Sequence, residues 1–329
     1  MTGAVSCATA LEERVDGYKP LDVGMLRCAD SACVDFYIRR DTRSEPALYC
    51  RAGHRWQADQ LFGLAEAGVQ YVYVAANDYA DVGTKMLESV EGFLHRESIP
   101  TADRFSMLQL AVSLEVERAF SHFGCGKIVN LAGTVGRQIS DLLTSHKALP
   151  RDLFRVARHD YATFTHVTNV ACFAVLLIER MGFRDQQQLD RVATGGILHD
   201  IGKRFIRPEI LTKRGPLDRQ ERDLIETHPQ RGYEELVGRP DVDADQLMMV
   251  YQHHERLDGS GYPVRILADE IHPWAQALAV VDVFEAMTGR RPYRRPAPAA
   301  DVLAYLEKKA GTHFNREIVA CWGSAMREK

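Results

Sequence analysis

The chain has 329 residues, 46% of them hydrophobic and 26% charged, which suits a folded protein with room for two domains. Its formal net charge of -4 supplies no global positive field for a nucleic-acid duplex or an anionic membrane, so any anionic ligand must be held locally and no DNA partner is expected. Its cysteines, Cys7, Cys28, Cys33, Cys50, Cys125, Cys172 and Cys321, follow no repeating spacing and make no disulfide framework; Cys28 and Cys33 lack the second pair that a metal knuckle needs.

Met1 to Ala10 carries no basic stretch leading into an apolar core, and the longest apolar run, Val170 to Ile178, falls short of the ~20 residues of a bilayer span. A cytoplasmic protein without membrane insertion is expected. Val34 to Arg39 and Ala47 to Arg51 read as strands around a polar loop, which predicts a hairpin. Ala58 to Gly68 has helical spacing at Leu61, Leu64 and Ala65, and Val69 to Val74 then alternates as a strand. Residues 1–100 therefore read as a small α/β module, regulatory or dimerising, the latter implying a homodimer.

Leu108, Ala111, Val112 and Val116 recur at helical spacing, and the pattern breaks at Gly124 to Gly126, so residues 101–150 read as two connecting helices. From Pro150 onward the chain is helical almost throughout, punctuated at Gly202-Lys203, Arg214-Gly215-Pro216 and Asp258-Gly259-Ser260-Gly261. The expected fold class is mainly α: an all-helical domain over 151–329 behind a smaller N-terminal α/β domain.

Five of the twelve histidines in this sequence keep informative company. His166 opens an otherwise apolar helix, Thr163 to Glu179, and His199-Asp200 closes the apolar stretch Leu189 to Leu198. His228 follows the acidic capping box Asp218-x-x-Glu221, on a helix that Pro229 is expected to end or kink. His253-His254 ends the helix Leu247 to Tyr251, and Asp282 interrupts the apolar stretch Ala275 to Phe284 that Pro273 begins. Singly, each has a bland explanation, a core histidine with a satisfied hydrogen bond or a capping aspartate. Together they form the donor set of divalent iron, manganese or zinc, and a carboxylate such as Asp200 can bridge two such ions. A buried Asp282 also needs a cation or a partner.

Two strings, His199-Asp200-Ile201-Gly202-Lys203 and His253-His254-Glu255-Arg256-Leu257-Asp258-Gly259-Ser260-Gly261-Tyr262-Pro263, resemble the signatures of HD-GYP phosphodiesterases of the HD metal-dependent phosphohydrolase superfamily. His166, His228 before Pro229, and Asp282 to Thr288 leading to Arg291-Pro292-Tyr293-Arg294 follow in the family's order, and the likeness covers roughly residues 155 to 322. The resemblance implies an HD-type domain in which His166, His199, Asp200, His228, His253, His254 and Asp282 bind two divalent metal ions, with Asp200 bridging. Iron or manganese is favoured, with zinc, nickel or magnesium as alternatives. Where some members hold a third ion with a glutamate, this sequence has Ala162, which favours two ions.

The implied activity is hydrolysis of cyclic di-GMP to pGpG, with further cleavage to GMP left open, using hydroxide drawn from a water between the ions. Asp200 and Lys203 are the expected catalytic residues, Lys203 stabilising the scissile phosphate. Lys203, Arg291, Arg294 and Tyr262 are the expected substrate contacts, and the Gly261-Tyr262-Pro263 loop is implied to border the site and to meet diguanylate cyclase domains. Glu285 stands where many relatives have Asp, Arg294 where Lys also occurs, and Asn315-Arg316 where Asp-Pro is frequent. The pair His159-Asp160 is read as a decoy, since no Gly-Lys follows it. The competing readings are the same chemistry on another cyclic dinucleotide, a module that binds cyclic di-GMP or a cyclase without turnover, and a purely structural helical domain.

Overall fold

A computed structural model describes residues 15–23 and 26, most of 31–82, scattered positions from 85 to 119, and residues 124–145, 154, 165–213, 215–289 and 296–328. The chain divides into two compact units, Met1–Ser98 and Ile99–Lys329.

In the first unit, β1 (Tyr18–Asp22), β2 (Phe36–Ile38), β3 (Ala47–Cys50) and β4 (Tyr71–Ala75) form an antiparallel sheet in the order β1-β4-β2-β3. The expected hairpin is β2–β3, with a register irregularity between Phe36 and Tyr37. β4 carries Val72, Tyr73 and Val74 buried in succession, so its centre is a continuous buried run and not the alternating pattern expected. β1 has no such signal. It contains Pro20, which belongs on an edge strand because it cannot donate to a second neighbour, and the edge is where β1 lies.

The second unit is helical. At its start, every described residue from Arg104 to Ala119 is helical and buried. α1 (Cys125–Ser145), α2 (Thr165–Arg180) and α3 (Gln186–Leu198) follow, α3 packing on both α1 and α2. Thr165 to Ile178 is buried at every position, so α2 is the central helix, as its all-round apolar sequence requires. A short 3-10 turn, Ile201–Phe205, leads to α4 (Pro208–Leu211), α5 (Arg219–Ile225), α6 (His228–Leu236) and α7 (Ala244–Gln252). α8 (Pro273–Thr288), α9 (Ala299–Lys309) and α10 (Arg316–Arg327) complete the unit.

α5 begins at the expected capping box, with Asp218 accepting from the Glu221 amide and Glu221 from the Asp218 amide. Its end differs from expectation. α5 stops at Ile225 with Glu226 as its cap, and Pro229 sits in the first turn of α6, where a missing N–H costs nothing because that amide has no helical partner anyway. His228 is therefore the first residue of a new helix.

Behind the histidines, Phe173 of α2, Phe284 of α8 and Trp322 of α10 are fully buried, with ring centroids 5.3 to 6.1 Å apart. Each such side chain contributes roughly 1.5–3 kcal/mol relative to exposure. Phe284 lies between Asp282 and Glu285, so this cluster sets the height and rotation of α8 against α2.

Candidate metal centre

Three imidazoles are placed by one local device. His199 caps α3, His253 caps α7, and His228 follows the end of α5. Their Nδ1 atoms donate to carbonyls three residues back: Gly196 at 2.7 Å, Ile225 at 2.7 Å and Val250 at 2.9 Å. The last carbonyls of a helix have no intrahelical partner, so each ring satisfies one of them. A carbonyl can only accept, hence Nδ1 carries a proton and Nε2 of each ring is the nitrogen turned to the interior of the site.

Those nitrogens converge. His228 Nε2 lies 3.2 Å from His253 Nε2 and 3.2 Å from Asp200 Oδ1, while His253 Nε2 is 3.9 Å from the same oxygen. His254 joins them: one ligand atom each from Asp200, His228, His253 and His254 lie within 4.8 Å of one another. A second group, His166, His199 and Asp282, meets the same limit of 4.8 Å, with His166 Nε2 3.2 Å from Asp282 Oδ1. Asp200 stands between the groups, its Oδ2 3.4 Å from His199 Nε2 and 3.7 Å from His166 Nε2. All seven residues named from the sequence are thus brought together.

His199, His228 and His253 are fully buried, and Asp200 and Asp282 are 5% and 6% exposed. Burial raises the Asp200 carboxyl, but the Lys203 ammonium and His199 beside it prevail and hold it well below the usual carboxylate range. Burial likewise opposes ionisation of Asp282, and the hydrogen bond from His166, with the neighbouring histidines, holds it well below that range. His253 and His254 are pushed well below the ordinary imidazole value by burial first and by neighbouring histidines next, so they stay neutral. His199 Nε2 and Asp200 Oδ1 are buried without a hydrogen-bond partner. Converging acceptors that lack a donor cost free energy unless a cation sits among them. Neutral imidazoles and carboxylates in two adjoining groups fit a pair of divalent ions.

Two glycines make the approach possible. A Cβ on Gly202 would lie 1.9 Å from the His228 carbonyl oxygen, so only glycine lets the 3-10 turn after Asp200 rest on the start of α6. A Cβ on Gly261 would lie 2.5 Å from the backbone of His254, Glu255 and Arg256, so the loop folds directly onto the segment after the two histidines. Tyr262 then stacks on His254 with ring centroids 4.6 Å apart at 32°. The Glu255 carboxylate accepts from the amides of Val264 at 2.7 Å and Arg265 at 3.0 Å and pins the far side of the loop.

Lys203 Nζ is 2.5 Å from Asp200 Oδ2, and its side chain is 33% exposed, so the ammonium reaches the buried carboxylate from the open side. The Tyr262 hydroxyl is pushed strongly upward by burial, then by Asp282 and Asp200, and is a neutral donor at any physiological pH. Arg291, Arg294, Ala162 and the pair His159-Asp160 lie outside the described residues. Sequence reasoning missed one participant. Glu285, noted only as a departure from relatives, is buried and hydrogen-bonds His166 Nδ1 through its carboxylate. Its position three residues after Asp282, on the same face of an apolar helix, was the available signal.

A family model described as HD domain matches residues 139–318. The chain is 31% identical over 189 residues to a cyclic di-GMP phosphodiesterase of Pseudomonas aeruginosa, covering 57% of this chain and 45% of that protein. It is 32% identical over 185 residues to a 3'3'-cGAMP-specific phosphodiesterase of Vibrio cholerae, covering 54% and 34%. A cyclic di-GMP phosphodiesterase of Thermotoga maritima is 33% identical over 162 residues, covering 49% and 44%. The matches thus span less than half the length of these curated relatives. Among solved structures, an HDG"Y"P protein from Bdellovibrio bacteriovorus superposes with a TM-score of 0.70 at 15% identity, over 94% of this chain and 100% of that one, a likeness of fold.

Proposed function

With residues 139–318 the chain belongs to the HD domain family, and on that premise we propose that it is a metal-dependent phosphodiesterase hydrolysing cyclic di-GMP to pGpG and then to GMP. The observation that carries this reading is the convergence of seven side chains, Asp200 and a group of three on either side of it. In this reading His166, His199 and Asp282 would hold one ion, His228, His253 and His254 would hold the other, and Asp200 would serve both; iron or manganese is favoured. Divalent cations held there acidify water and offset charge that builds on a phosphoryl group.

The chain's own residues do the remaining work. Asp200 stays ionised despite its burial, so it remains a ligand across the physiological range. Neutral His253 and His254 keep their lone pairs directed inward. Lys203, one-third exposed and in contact with Asp200, is the cation placed to meet a nonbridging phosphate oxygen of an entering diester. The Tyr262 hydroxyl, neutral and beside the same carboxylates, is a hydrogen-bond donor for that phosphate or its leaving oxygen. Arg291 and Arg294 are proposed as further phosphate contacts, and the Gly261-Tyr262-Pro263 loop as a contact for a diguanylate cyclase domain. The unit Met1–Ser98 is proposed as a regulatory or dimerising module.

A second substrate is favoured by three relatives, the Vibrio cholerae enzymes named as specific for 3'3'-cGAMP. Metal-loaded protein given cyclic di-GMP and 3'3'-cGAMP in parallel, with products separated by chromatography, decides between them. Conversion of cyclic di-GMP to pGpG at the higher kcat/KM is expected. Preference for 3'3'-cGAMP would replace the substrate, and cleavage of neither would overturn the enzymatic reading.

A further inference from the structure

Four of the side chains around the centre suggest that its two halves are built differently. His199, His228 and His253 are oriented by carbonyls of their own chain three residues away, a local device that any intact helix end supplies. His166 is not. Its Nδ1 meets the carboxylate of Glu285, 119 residues further along the chain, while its Nε2 faces Asp282 at 3.2 Å. One turn of α8 therefore grips both nitrogens of a ring carried by α2.

Glu285 is itself held. The Asn169 amide, one turn after His166 on α2, donates to Glu285 Oε1 at 3.1 Å, and the Gln109 amide donates to Asn169 Oδ1. Gln109 lies in the helical stretch ahead of α1, outside every segment that supplies a candidate ligand. Gln109, Asn169 and Glu285 are 5%, 2% and 6% exposed, so the chain of hydrogen bonds runs through the interior.

We propose that Glu285 is the positioning residue of His166, secured by Asn169 and Gln109, and that occupancy of the ion position at His166, His199 and Asp282 depends on this chain while the position at His228, His253 and His254 does not. This rests on the two-ion reading above. The physical reason is that an acceptor at Nδ1 fixes the tautomer and ring plane, and an anionic acceptor also makes the opposite nitrogen more basic. Removing it frees the ring to rotate and weakens one nitrogen donor of a three-residue set; the other group keeps the backbone-fixed rings of His228 and His253.

The test is manganese binding to the full-length protein, stripped with chelator and titrated with Mn2+, read by calorimetry and by electron paramagnetic resonance of free Mn2+. Wild type is expected to bind two ions per chain. Glu285→Ala is expected to keep one tight site and to lose or weaken the other by roughly 10- to 100-fold, the range typical for lost outer partners of metal-bound histidines. Glu285→Gln, which keeps an oxygen acceptor without the charge, should fall between, and Gln109→Ala should shift the same site in the same direction by less. If Glu285→Ala does not fold, the Gln and Gln109 variants carry the test alone. Two unchanged sites in folded variants, or equal weakening of both, would overturn the proposal. Wild type that binds no manganese would instead remove the two-ion reading beneath it.

Discussion

His228 Nε2 and His253 Nε2 face each other at 3.2 Å, although the Nδ1 of each ring is already committed to a main-chain carbonyl. With each Nδ1 already given to the main chain, the two Nε2 atoms are left opposed and in repulsion in a buried part of the site. A cation between them turns that repulsion into coordination. Metal removal should therefore destabilise the domain. A ligand at 100 times its dissociation constant stabilises by about 2.7 kcal/mol. For a unit of this size that corresponds to a shift on the order of 5–10 °C. Thermal unfolding with Mn2+ and with chelator measures it, and coincident transitions would count against ion binding here.

Asp200 contacts both groups, so on the proposed reading Asp200→Ala should empty both positions and abolish hydrolysis together. Elemental analysis of the purified variant, paired with product chromatography, reads the two quantities. A variant with full metal content would show that Asp200 does not join the groups.

Lys203 contacts Asp200 from the open side and is assigned to substrate, not to the ions. Lys203→Ala should retain metal and lower kcat by about 10²- to 10³-fold, the usual loss when one preorganised charge donor is removed. Loss of metal with unchanged kcat per bound ion pair would reassign Lys203 as a structural counter-charge.

Gly202→Ala should lose metal affinity without touching a ligand, because the added methyl would occupy the position of the His228 carbonyl oxygen. Backbone displacement of this kind costs roughly 1–3 kcal/mol. Wild-type manganese affinity in this variant would mean that the turn and α6 separate without disturbing Asp200 and His228.

Acid should weaken the metal-free fold in a defined window. His253 and His254 sit well below the ordinary imidazole value of 6.5 when folded and return to it when unfolded. The unfolded chain then binds more protons, so stability is fully present above about pH 6.5 and is lost progressively as pH falls below it. Asp200 and Asp282, also lowered from 3.8, add a second loss only at more acidic pH. Denaturant titrations of chelated protein between pH 8 and 5 should give a plateau and then a decline; rising stability toward pH 5 would contradict the neutral assignment of these rings.

Part of the candidate centre was legible in the sequence because four of its side chains, His199, Asp200, His253 and His254, sit where a helix stops and glycine soon follows. His199-Asp200 before Gly202, and His253-His254 before Gly259 and Gly261, are marked by that punctuation. The central helix was legible from its unbroken apolar run. What escaped depends on distant partners or on weak local patterning. β1 carries Pro20 and little alternation, and is recruited by pairing with β4. Pro229 was read as ending a helix when it opens one, since a proline marks a boundary without saying which side of it is helical. Glu285 drew no functional reading because the ring it orients, His166, lies 119 positions earlier.

The shared-ion centre is tested most directly by anomalous diffraction from crystals of the manganese-loaded protein. Two peaks about 3.5–4 Å apart, the spacing typical of two-metal hydrolases, are expected on either side of the Asp200 carboxylate, one against His166, His199 and Asp282 and the other against His228, His253 and His254. A map with no peak at Asp200, or with ions bound away from these seven side chains, would contradict it.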